Sequence, residues 1–325
     1  MAAGGTTAAS GAPGNMSGFK CPAGAEAIVP TIPMSAGSPV ANVPPAGYDP
    51  ENLEGPVWVN GYLYLSEIAK RANGQAGQEQ PQGGRIIRFQ PGKTAEVFLT
   101  NVGTNGLALD SAGDLVAASH KEGGIVSFDL AAPSSTPKKV YASMFDGKRF
   151  SSPNDVTIRN DGNLYFTDPS FQAGSVKQSA ERAYRVAPGG AVSIIDAAPS
   201  PPNGIALSPD QNTLYVGGAR LVAYPVSADG SLGAGKDFPD QAHGGALLGT
   251  DGLGVDCAGN LYVAIYAQGT VVVVSPAGAK LGTITVGNGV TNVAFGGADG
   301  KTLFITRMTP PSLYSVPSSI PGYPY

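Results

Sequence analysis

The sequence predicts an all-β fold, a six-bladed β-propeller whose last blade is closed by an N-terminal strand. Six stretches share one plan, in which an oxygen-bearing residue precedes an apolar run, a turn and a second apolar run. They read EGPVWVNGYLYLSE, NGLALDSAGDLVAAS, NDVTIRNDGNLYFTD, NGIALSPDQNTLYVG, DGLGVDCAGNLYVAI and NVAFGGADGKTLFIT. Their leading residues, Glu54, Asn105, Asn154, Asn203, Asp251 and Asn292, are spaced by 51, 49, 49, 48 and 41 residues. A period in the forties to about fifty is that of propeller blades. Composition agrees: 46 Gly and 28 Pro with only 14% charged residues suit many short strands joined by turns.

Each repeat reads as a four-stranded blade. In the second, strands are expected at 106–110, 114–119, 124–130 and around 139–143. Alternation in GLALD, DVTIR and NLYFTD gives strands with one face inward. SAGD, NDGN and CAGN supply the Gly-, Asn- and Asp-rich turns between first and second strands. The run VVVVSP at 271–276 is a buried strand, far short of the ~18 residues of a membrane span. The longest helix-compatible window, 63–76, is closed by Gly74 and Gly77. The sixth repeat ends after a third strand at 312–316. Residues 25–30 (AEAIVP) are therefore expected to supply its outer strand and remove an open edge.

Residues 1–20 are small, polar and low in complexity, a flexible linker ahead of a propeller domain at 21–325. They lack the charged and apolar regions of a signal peptide. Such a tract often trails an export leader, so an extracytoplasmic protein is expected, its native leader absent from this chain. The two cysteines, Cys21 and Cys257, are either paired, as export allows, or separate thiols. A net charge of −4, with Lys and Arg scattered, leaves no basic footprint for nucleic acid. The expected partner is a small molecule and the expected state a monomer.

In a propeller the first strand of each blade is innermost and the second returns beside it. Residues leading first strands and residues ending second strands therefore gather at one mouth of the central channel. Glu54, Asn154, Asn203 and Asp251 would meet there as two carboxylates and two carboxamides. Such an all-oxygen set suits a hard divalent cation, Ca²⁺ foremost, which takes 6–8 oxygens with water making up the number. Mg²⁺, Mn²⁺ and Zn²⁺ stay open, although the lack of thiolate or imidazole disfavours a structural zinc. Asn and Asp also begin strands as turn formers. Glu54 is a poor turn former in the same register, and in-phase polar groups at a buried axis would be costly without a purpose.

His120 ends the second strand of the second repeat and is a candidate acid or base, or a plain loop histidine. Asp168, in YFTDPSF, would contact substrate, hold a second cation, orient Asn154 or simply cap its strand. His243 lies in the loop feeding Asp251 and is a weaker candidate for substrate contact; Trp58 reads as core. Neither a nucleophile elbow nor a phosphate-binding glycine loop is present.

The ordered motifs EGPVW at 54–58, SPNDV at 152–156, YFTDPSF at 165–171, PNGIALSPD at 202–210 and DGLGVD at 251–256 resemble the gluconolactonase branch of the SMP-30/gluconolactonase/regucalcin-like family. The resemblance covers about residues 50–320. It implies a six-bladed propeller with a divalent cation, commonly calcium, in its channel. The implied ligands fall on Glu54, Asn154, Asn203 and Asp251, and the position that usually contacts substrate falls on Asn105. The family's members are mostly lactonases, so a metal-dependent lactonase is expected, with Asn105, Asn154 and Asp168 binding substrate. Asp251 is the expected base by position and charge, with His120 next. A phosphotriesterase or fluorophosphatase on the same ion, or a secreted binding propeller with structural calcium, are the competing readings. The N-terminal linker, the 70–84 insertion and the Pro-rich end PPSLYSVPSSIPGYPY depart from the family pattern.

Overall fold

The computed structural model describes residues 21–46, 50–70, 83–172 and 178–323. The expected linker, most of the 70–84 insertion and the last two residues lie outside these. Blade 1 comprises β1 (Pro50–Val59), β2 (Tyr62–Ala69), β3 (Arg85–Phe89) and β4 (Glu96–Leu99), and blade 2 comprises β5 (Thr104–Leu109), β6 (Leu115–Ser119), β7 (Gly124–Phe128) and β8 (Lys139–Ala142). A small hairpin, β9 (Met144–Phe145) and β10 (Lys148–Arg149), leads into blade 3, which comprises β11 (Val156–Ile158), β12 (Leu164–Asp168), β13 (Arg182–Val186) and β14 (Val192–Ile194). Blade 4 holds β15 (Pro202–Leu207), β16 (Thr213–Gly218), β17 (Val222–Pro225) and β18 (Lys236–Asp237). Blade 5 holds β19 (Thr250–Val255), β20 (Leu261–Ile265), β21 (Thr270–Val274) and β22 (Lys280–Thr285). Blade 6 is three-stranded: β23 (Val290–Gly296), β24 (Thr302–Met308) and β25 (Pro311–Pro317).

The six inner strands pack in a closed cycle, β1 on β5, then β11, β15, β19, β23 and back to β1. Six hydrophobic clusters lie between consecutive blades, the last joining Phe304 and Leu313 of blade 6 to Leu53, Leu63 and Ile87 of blade 1. Strands are therefore buried on both faces. In β21, Val271 and Val273 pack toward blade 6, while Val272 and Val274 pack toward blade 4. That is why this strand reads as an unbroken valine run rather than an alternation. Trp58 stacks on Phe304 with centroids 5.7 Å apart, within the blade 6 to blade 1 cluster. The helix-compatible window at 63–76 begins as strand β2, because its apolar residues pack against β1 and β3.

Contrary to expectation, residues 25–30 do not complete blade 6; Ala25–Ala27 form a single 3₁₀ turn. Cys21 is disulfide-bonded to Cys257 of the β19–β20 turn, with Cα atoms 5.3 Å apart, and Ala25 packs on Cys257 and Ile320. This anchors the segment on the face opposite the leading residues. Pro30 and Pro33 lack the amide donors that a ladder requires. The chain instead runs along the outside of the ring. Thr285 of β22 exchanges hydrogen bonds with Met34 and Ala36 (both 2.9 Å), and the Val40 amide donates to Leu313 O of β25 (2.7 Å).

Candidate active site

Every inner strand departs from regular pairing at its leading residue. Register shifts fall between Glu54 and Val57, Thr104 and Leu107, Pro202 and Ile205, Thr250 and Leu253, and Val290 and Val293. In blade 3 regular pairing starts only at Val156, after Asn154 and Asp155. A β-bulge re-aims a side chain and bends its strand. Here five bulges, and the late start of pairing in blade 3, lie at one level, turn the leading side chains toward the channel and bring the strands close together. Glycine follows the leading residue in four blades for that reason. A Cβ on Gly55 would lie 2.2 Å from Asn105 O, one on Gly204 2.3 Å from Asp251 O, and one on Gly252 2.1 Å from the Asn292 side chain. Buried hydroxyls stitch the same level together: Ser66 Oγ donates to Asn105 O (2.7 Å), Thr167 Oγ1 to Asn203 O (2.6 Å) and Thr291 Oγ1 to Leu53 O (2.8 Å).

Glu54 and Asp251 are both buried at this level. Glu54 Oε2 accepts from Asn292 Nδ2 and from the Gly55 amide, both at 3.2 Å. The Asn203 carboxamide lies close enough to Asp251 to favour its charged form. Burial pushes both carboxyls well above the ordinary range, and the charges of Glu54 and Asp155 push Asp251 further. Asp155 is itself driven up to about 7 by burial, although the amides of Ile205 (3.0 Å) and Val156 (2.9 Å) donate to it. Among the described residues no Lys or Arg is ion-paired with these three carboxyls. Buried acids without a basic partner are costly, and a bound cation would relieve that cost. Among the described residues no three His, Cys, Asp or Glu side chains gather as a metal cluster. An ion here would therefore need the carboxamide oxygens of Asn154 and Asn203, with water completing its shell.

The remaining candidates separate. Asn105 is buried at the bulge of β5. His120 directly follows β6, and its buried Nδ1 has no hydrogen-bond partner among the described residues. Burial first and then the Arg149 charge lower it to about 4. Asp168 is fully buried, and its two oxygens accept the amides of Ser151 (2.9 Å) and Ser152 (2.7 Å). Both oxygens thus serve the loop that delivers Asn154, which favours the orienting role among those expected. His243 lies away from the channel mouth. Its Nδ1 pairs with Asp240 (2.7 Å) and its ring lies beside Gly278, in the β21–β22 turn of the opposite face.

Two further residues stand at the centre without being singled out by sequence. Asn292 is in phase with the other leading residues, yet only its contact with Glu54 gives it a role. Asp155 stands where four blades have glycine, and that break in the repeat is the available signal. Its Oδ1 fills the space left by Gly106, where a Cβ would lie 2.2 Å away.

The molecule is thus a six-bladed propeller with an acidic, oxygen-lined site at one end of its channel. It belongs to the SMP-30/gluconolactonase/LRE-like family, whose model matches residues 53–309. A gluconolactonase of Zymomonas mobilis is 31% identical over 274 residues, covering 78% of this chain and 75% of its own. The pentonolactonase XacC of Haloferax volcanii is 32% identical over 160 residues, 47% of this chain and 52% of its own. Among solved structures, XC5397 of Xanthomonas campestris, a gluconolactonase, superposes with a TM-score of 0.67 at 28% identity, covering 84% of this chain and 87% of the other.

Proposed function

We propose that the protein is a lactonase, a carboxylic-ester hydrolase that opens a sugar or related lactone at the channel mouth. The observation that carries this reading is the buried pair Glu54 and Asp251 at the bulge level, without a basic partner among the described residues, in a chain 31% identical to a gluconolactonase. Glu54, Asn154, Asn203 and Asp251 would hold a divalent cation, most simply Ca²⁺. When bound, such an ion supplies Lewis acidity toward the lactone carbonyl.

The chain's own residues do the rest. Asn105 and Asn154 orient substrate oxygens. Asp251 takes a proton from the attacking water as the new C–O bond forms. The carbonyl then reforms as the ring C–O bond breaks, and the ring oxygen leaves as an alcohol once it receives a proton. His120, neutral and with a free ring nitrogen, carries protons between the mouth and solvent. The disulfide between Cys21 and Cys257 supports an extracytoplasmic location, since such bonds persist in oxidising compartments.

A panel of lactones, assayed by acid release before and after chelation, tests the reading. Turnover should vanish on chelation and return with Ca²⁺ or another divalent ion. Release of fluoride or phenol from organophosphates, with no acidification of any lactone, would instead assign the site to phosphoester chemistry.

A further inference from the structure

His120 is held by one side chain from a different element. Arg149, on β10, donates from Nη2 to the carbonyls of His120 (3.0 Å) and Lys121, and from Nε to that of Glu122 (3.2 Å). One guanidinium therefore gathers three consecutive carbonyls of the β6–β7 turn. The turn is shaped for it: Gly123 adopts φ +61°, and a Cβ there would lie 2.0 Å from Arg149 Nε. On its other side the turn is fastened to the β4–β5 loop. Lys121 N donates to Gly103 O (3.2 Å), and Ser119 Oγ lies 3.2 Å from the carbonyls of Val102 and Gly103. Gly103, at φ +53°, leaves room for the imidazole, since a Cβ would stand 3.2 Å from His120 Nε2.

The segment that carries Arg149 also delivers Asn154, only five residues on. Gln178, itself buried, donates from Nε2 to the carbonyls of Phe145 (3.1 Å) and Lys148 (2.7 Å), while Asp168 receives Ser151 and Ser152. This is more scaffolding than a surface turn needs.

We propose that Arg149 is the positioning residue for His120, fixing its ring at the channel mouth from the same braced segment that carries Asn154. The inference rests on the lactonase reading with His120 as proton carrier. The charge that acts on the ring is Arg149 from β10, which also acts on the buried Asp168 of β12; Lys121 and Glu122 follow His120 on its own turn, and residues 101–103 carry no charged side chain. The Arg149 charge opposes protonation of His120. The imidazole thus stays neutral near pH 7 and able to accept a proton.

The chain has two histidines, so imidazole ¹⁵N NMR resolves His120, assigned by loss of its signal in His120→Gln. In Arg149→Gln the His120 titration midpoint should rise toward the ordinary value of about 6.5. Lactone kcat should fall roughly tenfold or more with KM little changed, the scale of a disturbed proton transfer. Arg149→Lys keeps the charge but cannot serve three carbonyls. Its kcat should remain depressed while its midpoint stays low, and this milder variant decides the matter if Arg149→Gln does not fold. Wild-type kcat in Arg149→Lys, or an unchanged His120 midpoint and kcat in Arg149→Gln, would overturn the proposal. Full kcat in His120→Gln would also overturn it while leaving the lactonase reading intact. Absence of any wild-type lactone turnover would strike the lactonase reading, and with it the catalytic part of this inference.

Discussion

Asp251 and Glu54 sit at the same level of the channel, yet their substitutions should differ in kind. Asp251→Asn keeps a ligand oxygen but loses a charge and a basic lone pair. The propeller should fold, a cation should bind more weakly, and kcat should fall about a hundredfold or more even at saturating metal, as for loss of a general base. Glu54→Gln has no proton to move, so excess cation should restore much of its rate. Turnover titrated against metal for both variants checks this, and near-normal kcat in metal-saturated Asp251→Asn would move the base to His120. His120 also makes a stability prediction. Its folded pKa of about 4 lies below the ordinary 6.5. Between those values the unfolded chain binds a proton that the folded chain refuses. Stability should therefore drop as pH falls from 6.5 toward 4, by about 3 kcal/mol for this group. Chemical denaturation of wild type and His120→Gln across that window should show the difference shrinking by this amount toward low pH.

At the scale of the element, the bulge is the device that makes the site. Its effect was legible in the sequence of four blades as a glycine after the leading residue, because a Cβ at that position meets the neighbouring blade's backbone or side chain. All six leading positions were readable because they recur in phase with the strands; the four proposed as ligands were set apart by their oxygen chemistry and by the family resemblance. Asp155 was not readable, because an acid in a glycine slot reads as a lapse in the repeat until its oxygens are seen accepting Ile205 and Val156 amides. Nor could residue spacing place His243, whose position depends on how a long loop folds back along blade 5. Gly252→Ala tests the element directly. Its Cβ would meet the Asn292 side chain at 2.1 Å, displacing the group that donates to Glu54. Overpacking of this kind costs about 1–3 kcal/mol. Equilibrium denaturation should show that loss, and calorimetric cation binding should weaken with it. Wild-type values in both would mean that the inner strands are less tightly packed than these contacts indicate.

The ring as a whole was predictable from the repeat, whereas its closure was not. Among the described residues blade 6 has three strands, and apolar residues 25–30 were the evident piece to supply a fourth. Cys21 decided otherwise by fastening the segment beneath blade 5. Two tails now meet at the β19–β20 turn. The N-terminal one is held by the disulfide; the C-terminal one by the Cys257 amide donating to Pro321 O and the Tyr323 amide donating to Val255 O, each at 2.8 Å. Tyr323 reaches on to blade 4, where its hydroxyl accepts from Gln211 Nε2 (2.9 Å). The covalent link spans 236 residues, and the chain-entropy model assigns a loop of that size on the order of 5 kcal/mol. The double variant Cys21→Ser/Cys257→Ser should therefore unfold at markedly lower denaturant. Its kcat at moderate temperature should stay near wild type, because Asp251 lies at the far end of β19 from the bond. A reductant should lower the wild-type midpoint to that of the variant and leave the variant unmoved. If reduction shifted neither, the hydrogen bonds of the two tails would by themselves be enough to hold the ring shut.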